Sequence, residues 1–139
     1  MSKNLIIGID AGTSVIKSVA FDLTGRQIAV ASVPNRYTTA EDGSATQPLD
    51  QTWNDCVRSL RQLAEAVPNL AHRVTAVAVT GQGDGTWLID KDHQPVGDAW
   101  LWLDARAGHT AEKLRQSSND DARFLRTGTG LNACQQGAQ

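Results

Sequence analysis

The sequence predicts a mixed α/β layer structure. Three observations carry it: three short β-branched runs open the chain, one long stretch follows a helical period, and the elements then read as βββαββαα. A chain of 139 residues with 40% hydrophobic and 20% charged side chains has the composition of an ordinary globular domain. A net charge of -2 excludes nucleic-acid recognition through a basic field. No apolar run approaches the roughly 20 residues that cross a bilayer, so no membrane partner is expected. The short apolar stretch after Met1 runs into Asp10 and does not read as a signal peptide. Cys56 and Cys134 fit no metal or disulfide spacing. A reducing cytoplasm is the expected location.

Leu5-Ile6-Ile7-Gly8-Ile9 reads as a buried strand that ends at the polar turn Asp10-Ala11-Gly12-Thr13-Ser14. Val15 to Asp22 is a second strand, with Ile16, Ser18 and Ala20 on one face. After the turn at Leu23-Thr24-Gly25-Arg26, Gln27 to Val33 is a third strand, ended by Pro34. Two consecutive hairpins exclude a dinucleotide-binding unit, whose first strand runs straight into a helix. Residues 34 to 49 read as a polar loop. Asp50 is a plausible N-cap for a helix whose apolar positions are Trp53, Cys56, Val57, Leu60, Leu63, Ala64 and Val67. On that period Trp53 is core, and so is Trp87 in its own apolar run. Val74 to Val79 is a strand leading into Gly81-Gln82-Gly83-Asp84-Gly85. Thr86 to Ile89 is another, followed by a turn at 90–95 and a short return strand from Val96. A polar helix over 106–117, with Ala107, Ala111 and Leu114 inward, precedes a short one through Phe124 and Leu125. His72, His93 and His109 have no partner at metal-ligand spacing and read as solvated.

The chemistry concentrates in four segments. In the first, a strand delivers Asp10 to a tight turn. Gly12 removes a Cβ that would keep backbone N–H groups from an anion. Thr13 and Ser14 add hydroxyls, and Lys17 adds a compact positive charge suited to phosphate. An acid beside phosphate donors calls for a cation, so Asp10 points to Mg²⁺. Spacing alone leaves open a plain hairpin turn with a solvated Asp and Lys. The second segment is Gly81 to Thr86; its glycines do not make a dinucleotide loop, because a strand follows. The third is Trp100-Leu101-Trp102-Leu103-Asp104-Ala105-Arg106, and the fourth runs from Thr127 to Gln136.

Together these segments resemble the N-terminal part of the FGGY carbohydrate kinases, in the actin/hexokinase/Hsp70 superfamily. Asp10-x-Gly12-Thr13-x-x-x-Lys17 resembles the family's first phosphate motif. The phrases Gly-Gln-Gly-Asp-Gly-Thr-Trp, Trp-Leu-Asp-Ala-Arg and Leu-Asn-Ala-Cys-Gln-Gln look most like its erythritol-kinase branch. The resemblance implies a ribonuclease H-like (actin-like ATPase) mixed sheet with flanking helices. It implies ATP and Mg²⁺ as cofactors, phosphorylation of a polyol or pentulose-like sugar, and a small-molecule partner. Phosphate binding falls to Asp10, Gly12, Thr13, Ser14 and Lys17. Substrate binding falls to Gln82, Gly83, Asp84, Trp102, Asp104 and Gln135.

Gly83-Asp84 stands where glycerol kinases have Arg-Glu, which argues against glycerol itself. Asp84 accepts from adjacent hydroxyls; read alone, it caps a Gly-rich turn. Trp102 matches a ring that packs on the substrate's carbon skeleton, or is plain core. Asp104 and Arg106 are expected to pair. Gln135 and Gln136 either bind hydroxyls or are solvated. Cys134, near a family tyrosine, reads as a packed residue.

The family's catalytic base, second phosphate motif and adenosine pocket have no counterpart in residues 1–139. The expectation is therefore a partial N-terminal domain over 1–139 with the second domain absent, inactive alone. An apolar face left by a missing domain would drive homo-oligomer formation. Two other readings stay open: an actin-like ATPase module serving assembly or chaperoning, and a non-catalytic sugar-binding fragment.

Overall fold

The computed structural model describes residues 3–139. The described residues fall into two compact units, one comprising the chain up to Arg36 with Asp50–Gln82, the other Tyr37–Leu49 with Gly83–Gln139.

The first unit is the expected hairpin pair closed by a parallel strand. Strands β1 (Leu5–Ala11), β2 (Val15–Asp22) and β3 (Gln27–Pro34) pair antiparallel. Strand β6 (Val74–Gly81) lies parallel to β1, giving the order β3-β2-β1-β6. Pro34 is accommodated because β3 is an edge strand and its missing N–H breaks no ladder. Ile16, Ser18 and Ala20 form the buried face of β2, as the alternation predicts. Helix α1 (Leu49–Ala66), with Asp50 in its first turn, covers the sheet. Leu63, Val67 and Leu70 pack with Leu5, Ile7, Ile9, Ala20 and Ala31, and Cys56 and Leu60 border that core. The short helix α2 (Leu70–Arg73), where only a connection was expected, delivers the chain to β6.

The buried stripe of α1 differs from the expected one. Asp55, Ser59 and Leu63 are buried, whereas Trp53 is 70% exposed. Asp55 is two residues on from Trp53, about 200° around the helix, so the two side chains cannot share a face. Buried polarity is satisfied locally. Ser18 and Ser59 hydroxyls meet at 2.6 Å, Ser59 donates to the Cys56 carbonyl, and Asp55 accepts from Gln51 and pairs with Arg58. Strand β6 keeps Val77 and Val79 largely exposed despite its apolar sequence.

The second unit contains a small sheet within and beyond the expected loop. Strands β4 (Thr38–Thr39), β5 (Ala45–Gln47), β8 (Ala99–Leu101) and β7 (Gly85–Thr86) join antiparallel in the order β4-β5-β8-β7. The loop expected over 34–49 is thus partly sheet, and Ala45 and Gln47 are buried. The strand expected over 86–89 stops at Thr86. A narrow turn around Asp90, bridged at Ile89 and Pro95, replaces the return strand from Val96. Trp87 is partly buried with its indole nitrogen enclosed. Helices α3 (Gly108–Arg115) and α4 (Asp120–Thr127) follow. Ala107 and Ala111 are buried with Leu131 and Ala138, while Leu114 is exposed, contrary to its expected inward position. Gly128, with φ 71°, ends α4 by donating its N–H to the Phe124 carbonyl. Among the described residues no helix is long and apolar enough to cross a membrane.

Candidate functional site

One candidate site is the turn between β1 and β2. β1 runs two residues further than expected, so Asp10 and Ala11 lie in the strand and the turn shrinks to Gly12, Thr13 and Ser14. The register sets Asp10 opposite Lys17 on β2 and opposite Thr80 on β6. Directly opposed residues share a sheet face. Asp10, Lys17 and Ser14 are exposed. Carboxylate, ammonium and hydroxyl therefore stand in one row beside the turn. Thr80 was not anticipated, because only strand pairing reveals it.

Gly12 is required here. A Cβ on it would lie 2.7 Å from the Val15 carbonyl oxygen. The turn is also held from outside. Asn35 donates its side-chain amide to the Gly12 carbonyl and its backbone N–H to the Ser14 carbonyl, both at 2.9 Å. Thr13 Oγ1 donates to Gln82 Oε1 at 3.2 Å. Gln82 was expected with the substrate residues. At the end of β6 it accepts from Thr13 of the turn between β1 and β2.

The donor set fits a nucleotide phosphate with Mg²⁺. A side-chain-free cradle at Gly12 admits backbone donors, and Asp10 is a hard oxygen ligand. Mg²⁺ at phosphates is held through one or two carboxylates plus water. Among the described residues no cluster of three or more His, Cys, Asp or Glu side chains could hold a metal by itself.

A second candidate site lies in the other unit. Gly85, with φ +95°, lets β7 approach β8; a Cβ there would run into the Trp100 carbonyl oxygen. The Gly85 N–H donates to the Cys134 carbonyl at 2.8 Å, tying Gly83-Asp84-Gly85 to the 131–138 segment. The Cys134 thiol donates to Asp84 Oδ2 at 3.9 Å. Burial pushes that thiol up, and the charge of Asp84 adds to the shift. That direction disfavours the thiolate of the partly buried Cys134. Gln135 Oε1 accepts the Asn132 N–H and shapes the same bend.

Gly83, Asp84 and Gln135 line one cavity of about 370 Å³, with Arg123, Thr127, Thr129 and Gln136 among its other walls. That size lies within the roughly 300–1,000 Å³ of small-molecule clefts. Arg123 was not anticipated. It is held by Asp120 and by the Thr129 carbonyl. The spacing of Asp120 and Arg123 at i, i+3 could have signalled the pair, but not its place on the wall.

Trp102 and Asp104 lie elsewhere in this unit. Trp102 is half-exposed just past β8 and is not a wall of that cavity. Asp104 is buried, its side chain fully covered. It accepts the Ala45 N–H at 2.9 Å and the Arg106 guanidinium at 2.7 Å. The Arg106 guanidinium stacks over Trp100, 3.8 Å from the ring centroid. The expected Asp104–Arg106 pair is present. Asp104, expected with the substrate residues, has its oxygens engaged by Ala45 of β5 and by Arg106. His72, His93 and His109 are all exposed.

The model of the N-terminal domain of the FGGY family of carbohydrate kinases matches residues 5–138. The chain is 62% identical over 136 residues to the erythritol kinase of Brucella abortus, covering 98% of this chain and 26% of that protein. It is 31% identical over 101 residues to the probable L-xylulose kinase of Haemophilus influenzae, covering 73% and 21%. Among solved structures, the xylulose kinase of Rhodospirillum rubrum aligns at a TM-score of 0.85 and 25% identity, covering 94% of this chain and 27% of that one. A xyloylose kinase from Brucella ovis shares the fold at a TM-score of 0.88, covering 96% and 28%. The chain spans about a quarter of the length of the curated relatives it matches.

Proposed function

The chain belongs to the FGGY family of carbohydrate kinases, and from that premise we propose that it supplies the phosphate turn and the sugar-facing wall of an ATP-dependent polyol kinase. The acceptor is erythritol or a pentulose-like sugar. Support comes from the 62% identity to an erythritol kinase. The observation that carries the reading is the gathering of Gly83, Asp84 and Gln135 on one cavity.

Each residue has a physical task in this reading. When bound, ATP supplies the phosphoryl group that passes to a sugar hydroxyl. Lys17 and the Ser14 hydroxyl hold phosphate oxygens, and the Thr13 hydroxyl joins them by turning away from Gln82. Asp10 holds Mg²⁺ at the same turn. Asp84 accepts hydrogen bonds from two neighbouring hydroxyls, and the Gln135 amide adds a further polar contact. Trp102 offers an indole face for C–H surface. Asp104 acts through the sheet it braces. The base that accepts the hydroxyl proton is assigned to no residue of this chain. The exposed Val77 and Val79 on β6 favour a larger assembly over a sugar-binding module standing alone. Two free cysteines fit a reducing cytoplasm.

The test is coupled ADP release by the full protein with erythritol, glycerol and pentuloses. Erythritol or a pentulose is expected to be turned over in preference to glycerol. Asp10→Asn is expected to lower phosphoryl transfer strongly while sparing sugar affinity, and Asp84→Ala to weaken sugar affinity at least tenfold, the loss of roughly one charge-assisted hydrogen bond. Equal turnover of every acceptor, or unchanged kinetics in both variants, sinks the assignment.

A further inference from the structure

The turn that carries the phosphate reading is oriented by a residue outside it. Asn35 follows β3 directly and is 3% exposed. Its Nδ2 donates to the Gly12 carbonyl and its backbone N–H donates to the Ser14 carbonyl, each at 2.9 Å. Its Oδ1 accepts from Thr52 Oγ1 of α1 at 3.5 Å. A buried amide needs partners for both heads, whereas an aliphatic side chain would fill the same space without them. The two carbonyls held by Asn35 bracket Thr13.

That bracketing has a geometric consequence. In a planar trans peptide the C=O and the following N–H point in opposite directions. With the Gly12 carbonyl fixed on Asn35, the Thr13 N–H is aimed away from Asn35. Gly12 alone does not fix this orientation, since a residue without Cβ turns its peptide at little steric cost.

We propose that Asn35 is a positioning residue of the phosphate turn: by holding the Gly12 carbonyl it presents the Thr13 N–H to an oxygen of a bound nucleotide phosphate. The inference rests on the phosphate reading of this turn given above. A fixed N–H on a phosphate oxygen is a charge-assisted bond, and losing one weakens binding roughly tenfold to a hundredfold.

The test uses the full protein, with Mg–ADP titration calorimetry and steady-state kinetics on Asn35→Ala and Asn35→Asp. The aspartate nearly preserves shape but sets an acceptor against the Gly12 carbonyl. Both variants are expected to raise the Kd for Mg–ADP and the KM for ATP by roughly tenfold or more, the aspartate most, with the KM for sugar unchanged. A purely structural role would instead lower Tm and the active fraction and leave the KM for ATP where it was; that result overturns the proposal. For a variant that does not fold, the wild type answers by NMR. The Thr13 amide is expected to shift and exchange more slowly on Mg–ADP addition, and an unresponsive Thr13 amide also overturns it. A wild type that binds no Mg–ADP overturns the phosphate reading itself. A wild type that binds it while folded Asn35→Ala binds equally well overturns only the role of Asn35.

Discussion

Replacing Asp104 by asparagine keeps the side chain's shape and removes its charge. Asp104 Oδ2 accepts from the Ala45 amide, Oδ1 accepts from the Arg106 amide at 3.1 Å, and both oxygens take the Arg106 guanidinium. An asparagine has one accepting head, so one buried donor must face an NH₂. Leaving a buried N–H unsatisfied costs about 1–3 kcal/mol. Losing the fork to Arg106 adds about 1 kcal/mol, kept small because the arginine side chain is 29% exposed and can turn to water. The sum is about 2–4 kcal/mol, or a fall in Tm of about 7–14 °C for a chain of this length. The assay is urea and thermal unfolding followed by circular dichroism, at pH 7 and again in acid. Burial pushes the Asp104 carboxyl up, but the Arg106 and Ala45 hydrogen bonds outweigh it and hold the group below the usual carboxylate range. The unfolded state then binds more protons than the folded one in acid. The advantage of wild type over Asp104→Asn is therefore full above the unfolded carboxyl's pKa of about 4 and fades as pH falls through the lower folded value. A difference below about 0.5 kcal/mol at pH 7, the size of an ordinary surface substitution, refutes the reasoning. So does a gap that widens on acidification.

Gly12→Ala is expected to cost about 1–3 kcal/mol through the clash with the Val15 carbonyl and to weaken Mg–ADP at least tenfold by calorimetry, if one phosphate donor is displaced. Gly97→Ala, with nothing within 4 Å of its Cβ, is the control expected to change neither. Ser18→Ala and Ser59→Ala each strand a buried hydroxyl partner and are expected to cost about 1–2 kcal/mol in urea unfolding. The double variant is expected to cost less than the two singles added, and strict additivity would show that the 2.6 Å contact contributes nothing.

Short-range pattern determined much of this protein by itself. The continuous apolar run of β1, the period of two in β2 and the spacing of apolar residues in α1 are local signals, and the first sheet follows them. The turn after β1 was equally legible, because Asp10, Gly12, Thr13, Ser14 and Lys17 are close in sequence. The small sheet was not. Its strands are two or three residues long and are stabilised by partners tens of residues away, such as Thr46 with Trp100. Trp53 shows the same limit: the core side of α1 takes Cys56, Leu60 and Leu63 from the apolar stripe together with Asp55 and Ser59, whose hydroxyl meets Ser18, and leaves Trp53 exposed.

For the candidate sites, sequence named the chemical groups and tertiary structure decided their neighbours. Asp84 and Gln135 are 51 residues apart in sequence and line one cavity because Gly85 can approach Trp100 and its N–H can reach Cys134. Asp104 carries a carboxylate suited to a sugar, yet its burial commits it to Ala45 and Arg106. Asn35 carried no signal in the sequence at all. Its importance arises only when β3 returns beside β2 and sets a buried amide against two carbonyls of the turn. A residue type fixes what an atom can donate or accept, and long-range packing fixes what it meets.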